Sequence, residues 1–163
     1  MSSGLREHVV KLLSWEDAHA SFDSAVAHLP AELRSQRPAG LPYSPWQLVE
    51  HLRIAQYDIL DFCVNPRYTE LRWPDDYWPS SPALADPTAW AQSIGQFQRD
   101  RAALQELARN QRIDLESRIP HGSGQTYLRE LLLTADHTAY HVGELIVVRR
   151  LLGAWPPPSK SKG

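Results

Sequence analysis

Proline placement constrains this chain more than any other feature. A proline removes a backbone N–H and its ring collides with the preceding helical turn, so helices begin at prolines or stop short of them. Pro30 closes a first stretch, Pro38 and Pro42 sit in a polar loop, and Pro45 opens a second stretch. Pro66, Pro74, Pro79, Pro82 and Pro87 then crowd a single region. The long intervals between them carry apolar residues mostly at three- and four-residue spacing, the repeat of a helix with one buried stripe. In the first interval Leu5, Val9, Leu12, Leu13, Phe22, Val26 and Leu29 predict a helix over 5–29. Ser44-Pro45-Trp46-Gln47 supplies an N-cap, a first-turn proline and a capping-box glutamine, which predicts a second helix from there to about Val64.

The third helix is predicted from Pro87-Thr88 to Asn110 on the stripe Trp90, Ile94, Phe97, Leu104 and Leu107, with Gly95 a mild cost. Residues 111–124 read as a linker. The fourth helix is predicted from Thr126 to Leu152, with Gly153 just past its end, Pro156 beyond, and Arg149 and Arg150 suited to its negative pole. No segment shows a convincing strand alternation. The fold expected is all-α, a four-helix bundle with a long crossover between helices 2 and 3 over 65–87. Tyr68, Trp73, Tyr77 and Trp78 on that crossover predict that it packs down onto the bundle.

At 163 residues the chain can bury one contiguous core, so one domain is expected over 1–155, with 156–163 a flexible tail that has nothing to bury. A net charge of −2 with intermixed signs gives no basic field for a phosphate backbone, and nucleic acid is not expected as a partner. No apolar run approaches the ~20 residues of a membrane span, and the first residues lack a secretory apolar core. The single cysteine, Cys63, excludes an internal disulfide framework and a thiolate-rich metal site. A soluble, untargeted protein of the cytoplasm is expected.

The chemistry lies in the histidines. His137 and His141 stand one turn apart in Ala135-Asp136-His137-Thr138-Ala139-Tyr140-His141, with Cβ atoms roughly 5–6 Å apart, a separation two nitrogens each about 2.0–2.1 Å from one ion can bridge. Little of the fourth helix is polar, so this face is expected to point inward or at a pocket. His51, beside the apolar stripe of the second helix, can supply a third nitrogen from a facing helix. The competing reading has each as a core histidine hydrogen-bonded to a carbonyl or carboxylate. His19 falls on the predicted core stripe of the first helix, where it would line the pocket or orient a ligand, or pack as a satisfied core histidine. Asp58, two turns after His51, is either a base on the same side or a helix-surface acid. His8 and His28 read as solvated, and His121 as a linker residue. Cys63 lies off the metal-facing side and reads as a small packed residue. Trp46, Trp73, Trp78, Trp90 and Trp155 read first as core and crossover packing, with a roof over the site the alternative for Trp73 and Trp78.

The stretch from Arg37 through Trp46, Glu50 and His51 to Gln56, followed by Ala135-Asp136-His137-Thr138-Ala139-Tyr140-His141-Val142-Gly143-Glu144-Leu145, resembles the DinB-like superfamily over nearly the whole chain. That resemblance implies a divalent metal ion, zinc or nickel foremost, held by His51, His137 and His141. Many relatives carry glutamine where this chain has Glu144, which is either a fourth ligand or a solvated or cross-helix-paired acid. Three neutral ligands leave positions open, as in catalytic zinc sites. The glutamate that follows the first histidine in HExxH is absent here, which disfavours a metalloprotease. Characterised relatives imply a small-molecule substrate and a thiol-dependent S-transferase that activates a low-molecular-weight thiol. A metal-dependent hydrolase and a non-catalytic metal- or ligand-binding bundle are the alternatives. Members of the family are often dimers, so the resemblance admits a homodimer, but the sequence locates no surface for one and leaves the oligomeric state open.

Overall fold

The computed structural model describes residues 3–156 and is all-helical, with no strand among them; a lone bridge joins Arg118 and Thr126. The predicted tail lies outside the described residues except for Pro156. The helices are α1 (Ser3–Leu12), α2 (Phe22–Val26), α3 (Pro45–Val64), α4 (Ala89–Arg109) and α5 (Tyr127–Leu151). α3 packs against both α4 and α5, α1 crosses α4 and α5, and α2 lies on α5. Among the described residues no helix is long and apolar enough to cross a membrane.

Three helices sit where local chemistry places them. Ser44 accepts from the Gln47 amide while the Gln47 side chain accepts from the Ser44 amide, so the predicted capping box starts α3. Thr126 caps α5 through the Arg129 amide, and Gly153 past its end has φ +71°. α4 begins beside Asp86, whose carboxylate accepts from the Thr88 and Ala89 amides.

The first predicted helix is corrected. It does not run over 5–29 but breaks after Leu12, and the chain becomes helical again only from Phe22 to Val26. The cause is a gap in the apolar stripe between Leu13 and Phe22: residues 14–19 are exposed, so a helix through them would have no face to bury. Ser21 restarts the helix by accepting from the Ser24 amide. Its stop comes before Pro30, at an extended Ala27 and a left-handed His28. α2 is fixed instead by Arg149, which is fully buried at the far end of α5. Its guanidinium donates to the carbonyls of Ala25 and Ala154 and lies 5.0 Å from the Trp155 ring.

The stretch read as a linker after α4 also contributes to the core, since Leu115 and Ile119 are fully buried. The apolar interior forms two clusters. One gathers Phe22, Leu48, Val49, Leu52, Phe97 and Leu145, and the other gathers Val9, Cys63, Leu104, Leu115, Leu131 and Ala135. On α3 and α5 the residues between these clusters are largely polar yet buried: His51, Gln56 and Asp58 on one helix, Thr134 and His141 on the other. That polar layer is the place to look for chemistry, because buried polar groups are costly unless satisfied.

Candidate metal centre

Tertiary packing brings together the three histidines that the sequence singled out. His51 from α3 faces His137 and His141 from α5, and each offers a ring nitrogen within 4.8 Å of the others. Nε2 of His51 lies 3.1 Å from Nε2 of His137 and 3.1 Å from Nε2 of His141. His51 is essentially inaccessible, His141 is buried and His137 is half-buried.

Hydrogen-bond bookkeeping decides what this cluster is. The far nitrogen of His51, Nδ1, lies 2.8 Å from the Tyr77 carbonyl, and a carbonyl only accepts, so the hydrogen is on Nδ1. Nδ1 of His141 lies 2.5 Å from a Glu144 carboxylate oxygen, which when ionised also only accepts. In neutral rings both Nε2 atoms are therefore bare lone pairs, facing each other at hydrogen-bond distance with no hydrogen between them. His137 can donate one hydrogen to His51, which leaves the His51–His141 contact unsatisfied. Adding protons is opposed. Burial first, then the neighbouring histidines, lowers His137 to about 4; burial and His51 lower His141 to about 4; and burial lowers His51. Two bare lone pairs and a third ring nitrogen, that of His137, converging in a buried site match a divalent cation, at nitrogen separations that ligands about 2.0–2.1 Å from a common ion span. The residues present therefore fit the ion that the resemblance implies.

The outer nitrogens are held as metal ligands usually are. A carbonyl orients His51 and a carboxylate orients His141, fixing both tautomers so that Nε2 points inward. Trp78 lies flat on the His51 ring, with centroids 3.9 Å apart and planes 2° apart, and Tyr43 stacks on the far side of Trp78. Trp78 thus covers the His51 side of the cluster, the alternative reading for this tryptophan. Trp73 is 72% exposed and instead lines a neighbouring pocket.

A pattern for the DinB superfamily matches residues 14–145, a span that holds all three histidines and the segments that orient them. The chain belongs to the DinB superfamily. No curated protein and no solved structure matches it. The matched span of this DinB-superfamily chain excludes α1, the helix that contributes nothing to the histidine cluster.

The remaining candidates are corrected or sharpened. Glu144 lies beside the cluster and not in it: it grips the outer nitrogen of His141, and burial raises its pKa. Asp58 is buried, against the expectation of a surface acid. It accepts from the Tyr77 hydroxyl at 2.6 Å and the Tyr68 hydroxyl at 3.0 Å. Burial raises its pKa while the two phenols pull it down. His19 is exposed on the irregular stretch between α1 and α2, where its Nδ1 donates to the Ala20 carbonyl; it neither enters the core nor orients a ligand at the histidine cluster. It borders a separate groove of about 350 Å³ with Phe22, Arg101 and Val142. Cys63 is buried in apolar surroundings, which push its thiol up to about 12, so it is the packed residue expected.

Tyr77 is the functional residue that sequence reasoning missed. Its carbonyl fixes His51 and its hydroxyl holds Asp58, so one residue of the turn Asp75–Tyr77 serves both sites. Tyr68 was missed in the same way. The only signal was the aromatic crowding of the segment between α3 and α4, because no periodic pattern marks residues on an irregular segment. A cavity of about 610 Å³ opens beside His137, walled by Phe62, Tyr68, Trp73 and Tyr77 together with Asp58 and Arg129. This volume lies in the range of small-molecule sites.

Proposed function

We propose that this chain is a divalent-metal-dependent enzyme in which His51, His137 and His141 hold the ion, and that it transfers a low-molecular-weight thiol to an electrophilic small molecule. The observation that carries the reading is the facing pair of bare Nε2 atoms on His51 and His141, each fixed by a partner on its outer nitrogen. With Glu144 ionised and the rings neutral, that pair has no hydrogen between its two nitrogens, and a cation there would satisfy both lone pairs. A divalent ion there supplies Lewis acidity and ionises a coordinated thiol or water.

The protein's own residues favour the thiol. Hydrolysis profits from a base beside the ion, yet Glu144 is engaged by His141 and Asp58 by two phenols. A coordinated thiol needs no such base. Cys63 cannot supply the nucleophile, because its thiol is buried and its pKa raised. The thiol therefore enters as cosubstrate, and the aromatic cavity beside His137 has room for it and its acceptor. His51, His141 and Trp78 wall off the opposite side and leave His137 as the ligand nearest solvent. A reducing cytoplasm, where such thiols are kept reduced, is the matching compartment.

The test is elemental analysis of purified protein beside His51→Ala, followed by a screen of low-molecular-weight thiols against haloarenes and epoxides. Near-stoichiometric metal and metal-dependent thiol consumption, both lost in His51→Ala, are expected. Protein that stays metal-free after reconstitution would overturn the metal site. Full metal with no turnover of any thiol would leave a binding protein and sink the transferase reading.

A further inference from the structure

The cavity beside His137 is rich in acceptors and poor in free cations. Several of its side chains that ordinarily donate have already spent their hydrogens. Tyr68 and Tyr77 give theirs to Asp58, at 3.0 and 2.6 Å. Nε2 of His121 lies 2.7 Å from the Phe62 carbonyl, so in the neutral ring Nδ1 is a bare lone pair. The Ser123 hydroxyl donates to the side-chain oxygen of Gln125 at 3.3 Å. What these groups hold out to a ligand is lone pairs.

Charge points the same way. Asp58, Glu70 and Glu130 line the cavity, and Arg129, the arginine in its wall, is neutralised by Glu130 at 2.7 Å. Asp58 has two phenols for partners and no cation. Glu70 is exposed and makes no hydrogen bond or ion pair among the described residues, yet its charge acts on Asp58, Tyr68 and Tyr77. These carboxylates do not gather as a metal site: among the described residues, the histidine cluster alone has ligand atoms close enough. Trp73, largely exposed and with its ring 5.3 Å from that of Tyr77, adds the kind of aromatic face that attracts an organic cation.

We propose that this cavity takes a small molecule ending in a primary ammonium group, lodged between the phenol oxygens of Tyr68 and Tyr77 and the Glu70 carboxylate, with the Trp73 ring beside it. The inference rests on reading the cavity as the substrate site. An ammonium has three hydrogens and no lone pair, the complement of such a wall. A carboxylate or phosphate in the same place would meet acids and bare lone pairs, an arrangement that like charge disfavours. Asp58 is a positioning residue: by taking both phenol hydrogens it turns two donors into acceptors. It lies two turns from His51, about 10 Å along α3. The ammonium end therefore binds away from the histidines and serves recognition, not reaction.

The test is isothermal titration calorimetry on the full chain with three probes of similar shape and different charge: phenethylammonium, phenethyl alcohol and hydrocinnamate. The ammonium is expected to bind at millimolar concentration, roughly tenfold or more tighter than either of the others. Glu70→Gln is expected to weaken the ammonium roughly tenfold and to leave the alcohol unchanged. Asp58→Asn presents an N–H to one phenol and releases that phenol's hydrogen into the cavity. It is expected to cut the preference for ammonium over alcohol roughly tenfold, where a merely structural role would weaken both probes alike. Circular dichroism checks the fold of each variant, and the exposed Glu70 carries the test should Asp58→Asn not fold. No binding of the ammonium, equal binding of all three probes, or a preference that either folded variant keeps would each overturn the proposal. Neither metal nor turnover enters these outcomes, so they stand apart from the tests of the histidine site and of the transferase reading.

Discussion

His51 and Asp58 lie two turns apart on α3, both buried and both polar, yet their surroundings differ in kind. Asp58 is complete within the protein: two phenols donate to its two oxygens, and nothing further is needed to keep it buried. His51 is complete on one side only. Its Nδ1 has the Tyr77 carbonyl, while its Nε2 faces other nitrogens that return no adequate set of hydrogens. The satisfied group holds structure together, and the histidine cluster is the one that could hold a metal ion. Burial alone does not separate the two; the direction of each hydrogen does.

The contrast is broken most severely at the ligands themselves. His51→Ala or His137→Ala removes one of three nitrogens, and elemental analysis is expected to show near-complete loss of metal while Asp58→Asn keeps it. Equal loss in Asp58→Asn would erase the distinction. The next effect is on acid stability of the metal-free protein. Unfolded histidines protonate near 6.5, whereas burial holds His137 and His141 at about 4 in the folded chain. Between those values the unfolded state binds more protons, so stability falls as pH drops through this window and levels off below it. The loss is on the order of a few kcal/mol, read from urea melts at successive pH values. Stability that instead rises on acidification would mean that the imidazoles share a proton and satisfy one another.

Smaller effects sharpen the same line. Glu144→Ala frees the outer nitrogen of His141, and metal competition titrations are expected to show affinity about 10–100-fold weaker, with stoichiometry kept. Asp58→Ala leaves two phenols without their acceptor and is expected to cost about 1–3 kcal/mol in urea unfolding, with unchanged metal content. The smallest effect is at His19, where substitution by alanine is expected to stay within about 0.5 kcal/mol and to leave metal binding intact. A clear loss of metal in that variant would show that the exposed stretch between α1 and α2 reaches the site.

Among the elements, α3 and α5 could be read from the sequence because their determinants are local. Ser44 and Gln47 close a capping box within one turn, Thr126 caps from the adjacent residue, and Gly153 ends α5 where a left-handed residue is needed. The His137–His141 pair was legible for the same reason, since residues four apart share a face wherever the helix goes. The break after Leu12 was harder to see, because Leu13 and Phe22 continue the stripe on either side of a gap that only burial exposes.

By itself the sequence determined where the three long helices lie, that two histidines share one face of α5, and that His51 lies on the inner side of a second helix. These follow from bond geometry over a few residues. Only the tertiary structure decided that Tyr77 fixes His51, that Glu144 holds His141 and that two phenols satisfy Asp58. Tyr77 lies 26 residues from His51, on a segment with no regular period. Its carbonyl and hydroxyl find their partners only once the segment between α3 and α4 has packed onto α3, and no local rule in the chain specifies where that happens.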